Sequence, residues 1–368
     1  MTTKKVVISG YIGFRNSGDE AVLMAILQDL RSVAPDLDIT VLSRRPEETT
    51  AAYGVHSVDR FSPRAVLKAL RACDMLISGG GSLVQDVTSN RSLFYYLAII
   101  WLARWLRRKV FVYANGVGPV RRTLNRLLTS RVLNQVDFIT LRDQASASEL
   151  ERLKVRRPRI AVTADPVFGL RPAPAERIDE ILRAEGLESS PSDGPLVGIS
   201  VRRWEEMERW GRVVAAAADN LVEKHGARII FIPMEFPGDV EVSQWIAGRM
   251  RRQARILAGR YASTEYLGLV GRLDLLLGMR LHSLIFAARQ GVPLVGLEYD
   301  PKVRGVLHAI GRRVAGHIDT ISSQALVAAS NTALAGREEA RQGIAARLDN
   351  LERLARQNAS LAIELLRG

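Results

Sequence analysis

Two rhythms of apolar and polar residues alternate along this chain. Short, nearly continuous apolar runs read as buried strands: KKVVISG (4–10), DITVLSR (38–44), DMLISGG (74–80), KVFVYANG (109–116), DFITLRD (137–143) and RIAVTADPVF (159–168). Between them, amphipathic spacing predicts helices over 20–34, 62–72, 94–108, 121–134 and 146–153. Repeated strand–helix–strand with short connections predicts an α/β fold with a mostly parallel, doubly wound sheet. From 169 to 195 the pattern weakens. LRPAPAER and SSPSDGP supply prolines and polar turn formers around a short helix at 175–185. The rhythm then restarts, with strands expected at 195–201, 227–234, 254–259, 273–278 and 292–299 and helices at 210–225, 239–253, 264–270 and 281–290. Two further helices, 322–334 and 337–366, finish it.

The expected organisation is an N-terminal Rossmann-like domain over 1–170, a linker region over 171–194, a C-terminal Rossmann-like domain over 195–335 and a C-terminal helix over 336–368. The halves echo each other. Asp74 opens DMLISGGGSL and Asp274 opens DLLLGMRLHSL, each an acid, an apolar strand, a loop and a helix start. One loop is filled with glycines, the other with Arg280 and His282. Two Rossmann-like domains facing a cleft, with ligands beyond the carboxyl ends of the strands, is the architecture this implies.

The length of 368 residues suits two domains, and 47% apolar with 25% charged residues is ordinary for a globular protein. The single cysteine, Cys73, excludes an internal disulfide framework and a cysteine-rich metal site. No HExxH, paired His/Cys spacing or carboxylate cluster suggests a metal. MTTKKVVISG has no long apolar stretch before a cleavage site, so a cytoplasmic location is expected. Net charge changes the picture more: 52 Lys and Arg against 39 Asp and Glu leave +13, which points to anionic partners. Nucleic acid is disfavoured, with 6% aromatic residues and no recognition motif. The run SLFYYLAIIWLA (92–103) falls short of the ~20 residues a span requires. Basic residues at 104–109 follow it. That segment reads either as a helix lying on an anionic membrane or as one packed on a sheet with a basic C-terminus.

Candidate chemistry sits in the loops after strands. In GYIGFRNSGDEA (10–21), Asn16, Asp19 and Glu20 suit sugar hydroxyls, with Asp19 also able to cap the helix. The same loop reads equally as a capped tight turn. SGGGSL (78–83) offers bare backbone at a helix start, with Gly80, Gly81 and Ser82 as hydroxyl or anion ligands. NGVGPVRR (115–122) puts Arg121 and Arg122 at a helix start, where cations oppose the dipole unless an anion joins them; they read equally as two solvent-facing arginines. TADPVF places Asp165 at a strand end. GISVRRWEE (198–206) places Arg202 and Arg203 there, and guanidinium groups clamp carboxylate or phosphate. The strongest signal is GMRLHS (278–283). Arg280, His282 and Ser283 open a helix, and Lys302 returns after the next strand. Arg, His and a helix N-terminus favour a small, highly charged anion, and His can move protons near neutral pH.

These motifs together resemble the polysaccharide pyruvyl transferase family: GDEA after the first strand, GGGSLVQD, GVGP, TLRD, DPVF and GMRLHSLIFAARQGVPLVGLEYDPK. The likeness is greatest to the CsaB-type members of Gram-positive bacteria, which prepare secondary cell-wall polymers for S-layer proteins. It implies a glycosyltransferase-B-like fold and a co-substrate, phosphoenolpyruvate, with no cofactor and no metal. It further implies an acceptor N-acetylmannosamine residue on a lipid-diphosphate-linked saccharide at the inner membrane face. The product would be a 4,6-linked pyruvate ketal, with phosphate released. Carried over, the resemblance makes His282, Arg280, Lys302 and Arg122 catalytic, with Arg121 in reserve. Phosphoenolpyruvate, with a carboxylate and a phosphate on three carbons, fits converging cations. Two other readings remain open at this point. One is a nucleotide-sugar glycosyltransferase of the same fold, with Glu298 on the ribose. The other is an inert sugar-polymer binding module.

Overall fold

The computed structural model describes residues 3–87, 89–188 and 193–368; part of the expected linker, 189–192, and the first two residues lie outside them. In chain order, the first half runs β1 (Lys5–Ser9), α1 (Ser17–Val33), β2 (Asp38–Ser43), α2 (Pro46–Tyr53), β3 (His56–Asp59), α3 (Pro63–Ala72) and β4 (Met75–Gly79). It continues with α4 (Asn90–Trp105), β5 (Lys109–Asn115), α5 (Thr123–Leu133), β6 (Phe138–Leu141), α6 (Gln144–Arg152), β7 (Arg159–Val162) and a 3-10 turn at Pro166–Gly169. The second half runs α7 (Ala175–Ala184), β8 (Leu196–Ser200), α8 (Met207–His225), β9 (Arg228–Phe231), α9 (Gly238–Ala247), β10 (Ala254–Ile256), α10 (Ser263–Val270) and β11 (Leu275–Gly278). It closes with α11 (Leu281–Arg289), β12 (Leu294–Glu298), α12 (Pro301–Ala309), β13 (Val314–His317), α13 (Ser323–Ala335) and α14 (Arg337–Arg367).

The chain forms two compact units, one of Met1–Arg15, Asp19–Leu170 and Asn350–Gly368, the other of Asn16–Gly18 and Arg171–Asp349. Each is built on a parallel sheet. The first has order β3-β2-β1-β4-β5-β6-β7, the second β10-β9-β8-β11-β12-β13. In both, the middle strands are buried along their length, as β4, β8, β11 and β12 show. That burial on both faces is why they read as unbroken apolar runs.

The likeness between Asp74 and Asp274 is a shared hydrogen-bond device. Asp74 Oδ2 accepts the Lys5 amide at 2.8 Å, and Asp274 Oδ2 accepts the Leu196 amide at 2.9 Å. Each aspartate thus fastens the start of the strand beside its own, and the register of the central pair follows in each unit.

The structure adds four elements to those the pattern predicts: α2, β3, α12 and β13. β3 and β13 are sheet-edge strands with half-exposed residues, so they lack the apolar signature of a central strand. It also corrects three expectations. The strand expected over 159–168 ends at Val162, because Pro166 lacks an amide and restricts Asp165. The glycines of 79–81 do not open a helix; α4 begins only at Asn90. Residues 80–86 instead lie along 113–119, with Gly116 N donating to Gly81 O at 2.8 Å and Gly118 N to Val84 O at 2.7 Å. The cap of α1 is Asn16, whose Oδ1 accepts the Gly18 amide at 3.0 Å, while Asp19 lies within the first turn.

α14 ends in the first unit, where its buried Asn358 replaces a missing backbone partner. Asn358 Oδ1 accepts the Thr163 hydroxyl at 2.8 Å and its Nδ2 donates to Ala164 O at 3.3 Å, just past β7. Asn358→Leu keeps the branched shape but strands these groups in the core. It should cost about 1–3 kcal/mol in denaturant unfolding, and an unchanged midpoint would show that the helix is not held there.

Candidate active site

In the second unit β8, β11 and β12 are neighbours, with Ser200 opposite Gly278 and Gly278 opposite Gly296. The segments leaving them carry Arg202, Arg280 and His282, and Tyr299 with Lys302. Tyr299 is the hub. Arg202 Nη1 donates to its hydroxyl at 3.2 Å, and the Arg202 guanidinium lies 4.9 Å from its ring centroid. Lys302 Nζ is 5.6 Å from the same centroid.

Arg280 is the N-cap residue of α11, and it turns toward the loop after β9. Its Nε donates to Asp239 Oδ2 at 2.9 Å, and its Nη2 to Glu235 Oε2 at 2.7 Å and to Asp239 Oδ1. Asp239 Oδ2 further accepts the amides of Met234 and Glu235 at 3.1 and 3.0 Å. Burial opposes the charge on Arg280, but Asp239 and then Glu235 outweigh it and hold the guanidinium above its ordinary value. Burial pushes the Asp239 carboxyl up. Four donors converge on that carboxylate, so the ionised pair is the state the geometry supports.

The sequence signal for an anion site at Arg280 is therefore modified. The chain's own acids already balance this guanidinium through Nε and Nη2, and Nη1 makes no hydrogen bond among the described residues. Lys302 is shared with Asp300 at 3.4 Å. Arg203 turns away to Glu241 at 2.7 Å and is exposed. Arg202, lying near the edge-to-face pair of Trp204 and Tyr299, pairs with no carboxylate among the described residues. It is the cation with most charge to offer an incoming anion.

His282 stands in the first turn of α11, and Ser283 Oγ donates back to Arg280 O at 2.7 Å. The His282 ring rests on Gly18: a Cβ there would lie 2.2 Å from Nδ1. The segment 16–18 is stitched in place by Ser17 N to Met234 O at 2.8 Å and Ser263 Oγ to Ser17 O at 2.9 Å. The glycine of NSGDEA is thus required by the histidine of GMRLHS, 264 positions on. Glu298, 3% exposed, accepts Arg304 Nε and Nη2 on one oxygen, at 3.1 and 2.8 Å.

In the first unit, Asp19 faces Gly81, and a Cβ on that glycine would sit 3.0 Å from Asp19 Oδ1. Gly80 has φ +74° and no room for a side chain, with Val22 1.9 Å from its would-be Cβ. Asp19 and this bare backbone could meet sugar hydroxyls. Glu20 is committed elsewhere, accepting the Gly13 amide at 2.9 Å and the Tyr53 hydroxyl at 2.5 Å. Ser82 and Asp165 are joined through Arg142, whose Nη2 donates to Ser82 Oγ at 2.8 Å and Nη1 to Asp165 Oδ2 at 3.2 Å. Asp165 is 2% exposed and braces these loops. Arg121 and Arg122 are exposed at the start of α5. The anion their position calls for is supplied by the chain: Asp86 accepts both their amides at 2.9 and 3.0 Å and the Asn125 side chain at 2.8 Å. Burial opposes ionisation of Asp86, but these donors outweigh it and hold its carboxyl below the usual range.

Sequence reasoning missed Asp86, Arg142, Glu235, Asp239 and Tyr299 as parts of these sites. Asp86 and Arg142 lie inside the quoted motifs GGGSLVQD and TLRD, which was the available signal. Asp239 and Glu235 carried none.

Fold and site define a two-domain, parallel-sheet α/β protein of the glycosyltransferase-B type. The UDP-GlcNAc 2-epimerase of Neisseria meningitidis bound to UDP-GlcNAc matches with a TM-score of 0.69 at 14% identity, over 99% of this chain and 100% of that one. A glycosyltransferase from Rickettsia africae matches at 0.66 and 10% identity over 100% of both. Anabaena HepE in complex with UDP-glucose matches at 0.64 and 14%, over 99% and 98%. A family model described as polysaccharide pyruvyl transferase matches residues 16–301, and the chain belongs to that family. The chain is also similar to the amylovoran biosynthesis protein AmsJ of Erwinia amylovora, 21% identical over 409 aligned positions that span 93% of this chain and 94% of that protein. It is accordingly a transferase, of a family that transfers pyruvyl groups to polysaccharide.

Two outcomes follow from the geometry. Gly18→Ala must displace the His282 imidazole, so the His282 ring signals in NMR should move while the melting temperature changes little; unmoved signals would disprove the contact. Asp86, with its carboxyl held low, stabilises the fold above the usual carboxylate range near ~3.9, and this is lost as pH falls through its folded value. Asp86→Asn should therefore be less stable than wild type at neutral pH, and the gap should close in acid. A gap constant with pH would refute the role given to the charge.

Proposed function

We propose that the protein transfers pyruvyl from phosphoenolpyruvate to an N-acetylmannosamine residue of a lipid-diphosphate-linked cell-wall saccharide, at the inner face of the membrane. The observation that carries this reading is the meeting of Arg202 and Lys302 on Tyr299, with Arg280 and His282 at the start of α11 after the neighbouring strand β11. A three-carbon molecule bearing carboxylate and phosphate requires several cations in a small volume. Arg202, which pairs with no carboxylate among the described residues, would meet it with its charge, and Arg280 with Nη1, which makes no hydrogen bond among the described residues. Family membership supports pyruvyl as the group transferred.

In the reaction proposed, one sugar hydroxyl adds at C2 of the enol phosphate while C3 gains a proton. The second hydroxyl then attacks C2, the C2–O bond to phosphate breaks, and the ketal ring closes. His282 handles a proton, either giving one toward C3 or the phosphate or taking one from a hydroxyl. The occupation of Glu298 by Arg304 weighs against the nucleotide-sugar alternative, which would need that carboxylate for a ribose.

Incubation with phosphoenolpyruvate and a saccharide ending in N-acetylmannosamine should release phosphate and add the mass of one pyruvate less one water. His282→Ala should abolish release with the fold intact by circular dichroism. Arg202→Ala should weaken phosphoenolpyruvate binding about ten- to a hundredfold, read as lost thermal stabilisation. Stabilisation by a UDP-sugar and none by phosphoenolpyruvate would overturn the proposal.

A further inference from the structure

Among the described residues, five of the ten large apolar side chains that stay exposed, and both exposed tryptophans, lie on two neighbouring helices of the first unit, α4 and α5. On α4, Phe94, Trp101 and Trp105 are 41%, 51% and 63% exposed. Their spacing of seven and four residues sets them in one stripe along the helix. On α5, Leu124 and Leu127 are 61% and 48% exposed. The two helices pack side by side and turn their opposite faces, through Leu93, Leu97, Ile100, Val132 and Leu133, into one core. The stripes therefore lie on the outer side of a single layer. α3 belongs to that layer too, its Val66 and Leu70 entering the same core.

The charge of this layer is one-sided. α3 carries three Lys or Arg, α4 two and α5 two, and none of the three helices contains an Asp or Glu. Arg104 is neutralised by Asp137 and Arg126 leans on Glu149. Arg64, Lys68 and Arg71 on α3, Arg91 on α4 and Arg131 on α5 meet no acid among the described residues. No helix of the described chain is long and apolar enough to cross a membrane. Tryptophans and leucines raised above a basic surface are the arrangement of a face that lies in a membrane interface.

We propose that the α3–α4–α5 face docks on an anionic phospholipid bilayer. The aromatic and leucine side chains enter the headgroup boundary and the basic residues meet lipid phosphates. The charge selects this occupant: a second copy of the chain would bring like charge against like, and nucleic acid would leave the leucine and tryptophan stripes uncovered. The inference deepens the reading above, which sets the acceptor on a lipid, and names the surface that reaches it.

The test is co-sedimentation of the full chain with vesicles of phosphatidylcholine alone or mixed with phosphatidylglycerol. Binding should require phosphatidylglycerol, fall with salt, and shift tryptophan emission to the blue. The variant Trp101→Ser/Trp105→Ser should weaken binding at least about tenfold. Arg64→Glu/Lys68→Glu/Arg71→Glu should weaken it about fivefold for each charge removed. Arg337→Glu, an exposed control on α14, should bind as wild type. Failure of the wild type to bind phosphatidylglycerol vesicles, or equal binding by the variants, would overturn the proposal. So would a dimer in light scattering, or nucleic-acid binding, that the tryptophan variant abolishes. Vesicle binding needs no chemistry, so its failure leaves phosphate release on a soluble acceptor untouched, while lost release with binding kept refutes only the function.

Discussion

Parallel strands buried on both faces leave almost no place for a polar side chain, and both sheets of this protein live under that limit. The polar groups that matter are displaced to the residues just past the strands. Arg202, Arg280 and Tyr299 leave three adjacent strands of the second sheet, and Ser82, Arg142 and Asp165 follow strands of the first. The carboxylates of Asp74 and Asp274 serve the same limit at the opposite ends, where they hold each central strand pair in register.

A site built this way must keep its cations from repelling one another. The chain does so with its own acids. Asp239 and Glu235 take up the charge of Arg280, Asp300 shares Lys302, and Asp86 fills the anion position at the start of α5. Such pairing fixes side chains in place before any ligand arrives, and preorganised donors stabilise developing charge best. It also lowers the net attraction for an anion, which makes the unshared Arg202 more important than its place in the sequence suggested. His282 is kept in place by sterics as well: the backbone at Gly18 lies so near the ring that no side chain fits between them.

The alternation of strands and helices was plain in the sequence because buried parallel strands and amphipathic helices have different periods. Edge strands β3 and β13 were not, since their half-exposed residues carry no such period. The motif around Arg280 and His282 stood out because charged residues interrupted an apolar run. Its acid partners did not, because Asp239 lies 41 positions away and no local rule links it to Arg280. Helix α4 was ambiguous for a related reason. It is apolar almost all round, so its pattern names no inner face.

By itself, the sequence determined the fold class, the loops that hold the candidate residues and the family to which the chain belongs. The first two follow from local composition and period, which act over a few residues, and the family from short motifs such as GMRLHS and TLRD. Only the tertiary structure decided which acid neutralises which cation, why position 18 must be glycine, and that α4 turns Trp101 and Trp105 outward while Leu93, Leu97 and Ile100 face in. Those outcomes depend on groups far apart in the chain, and packing alone brings them within bonding distance.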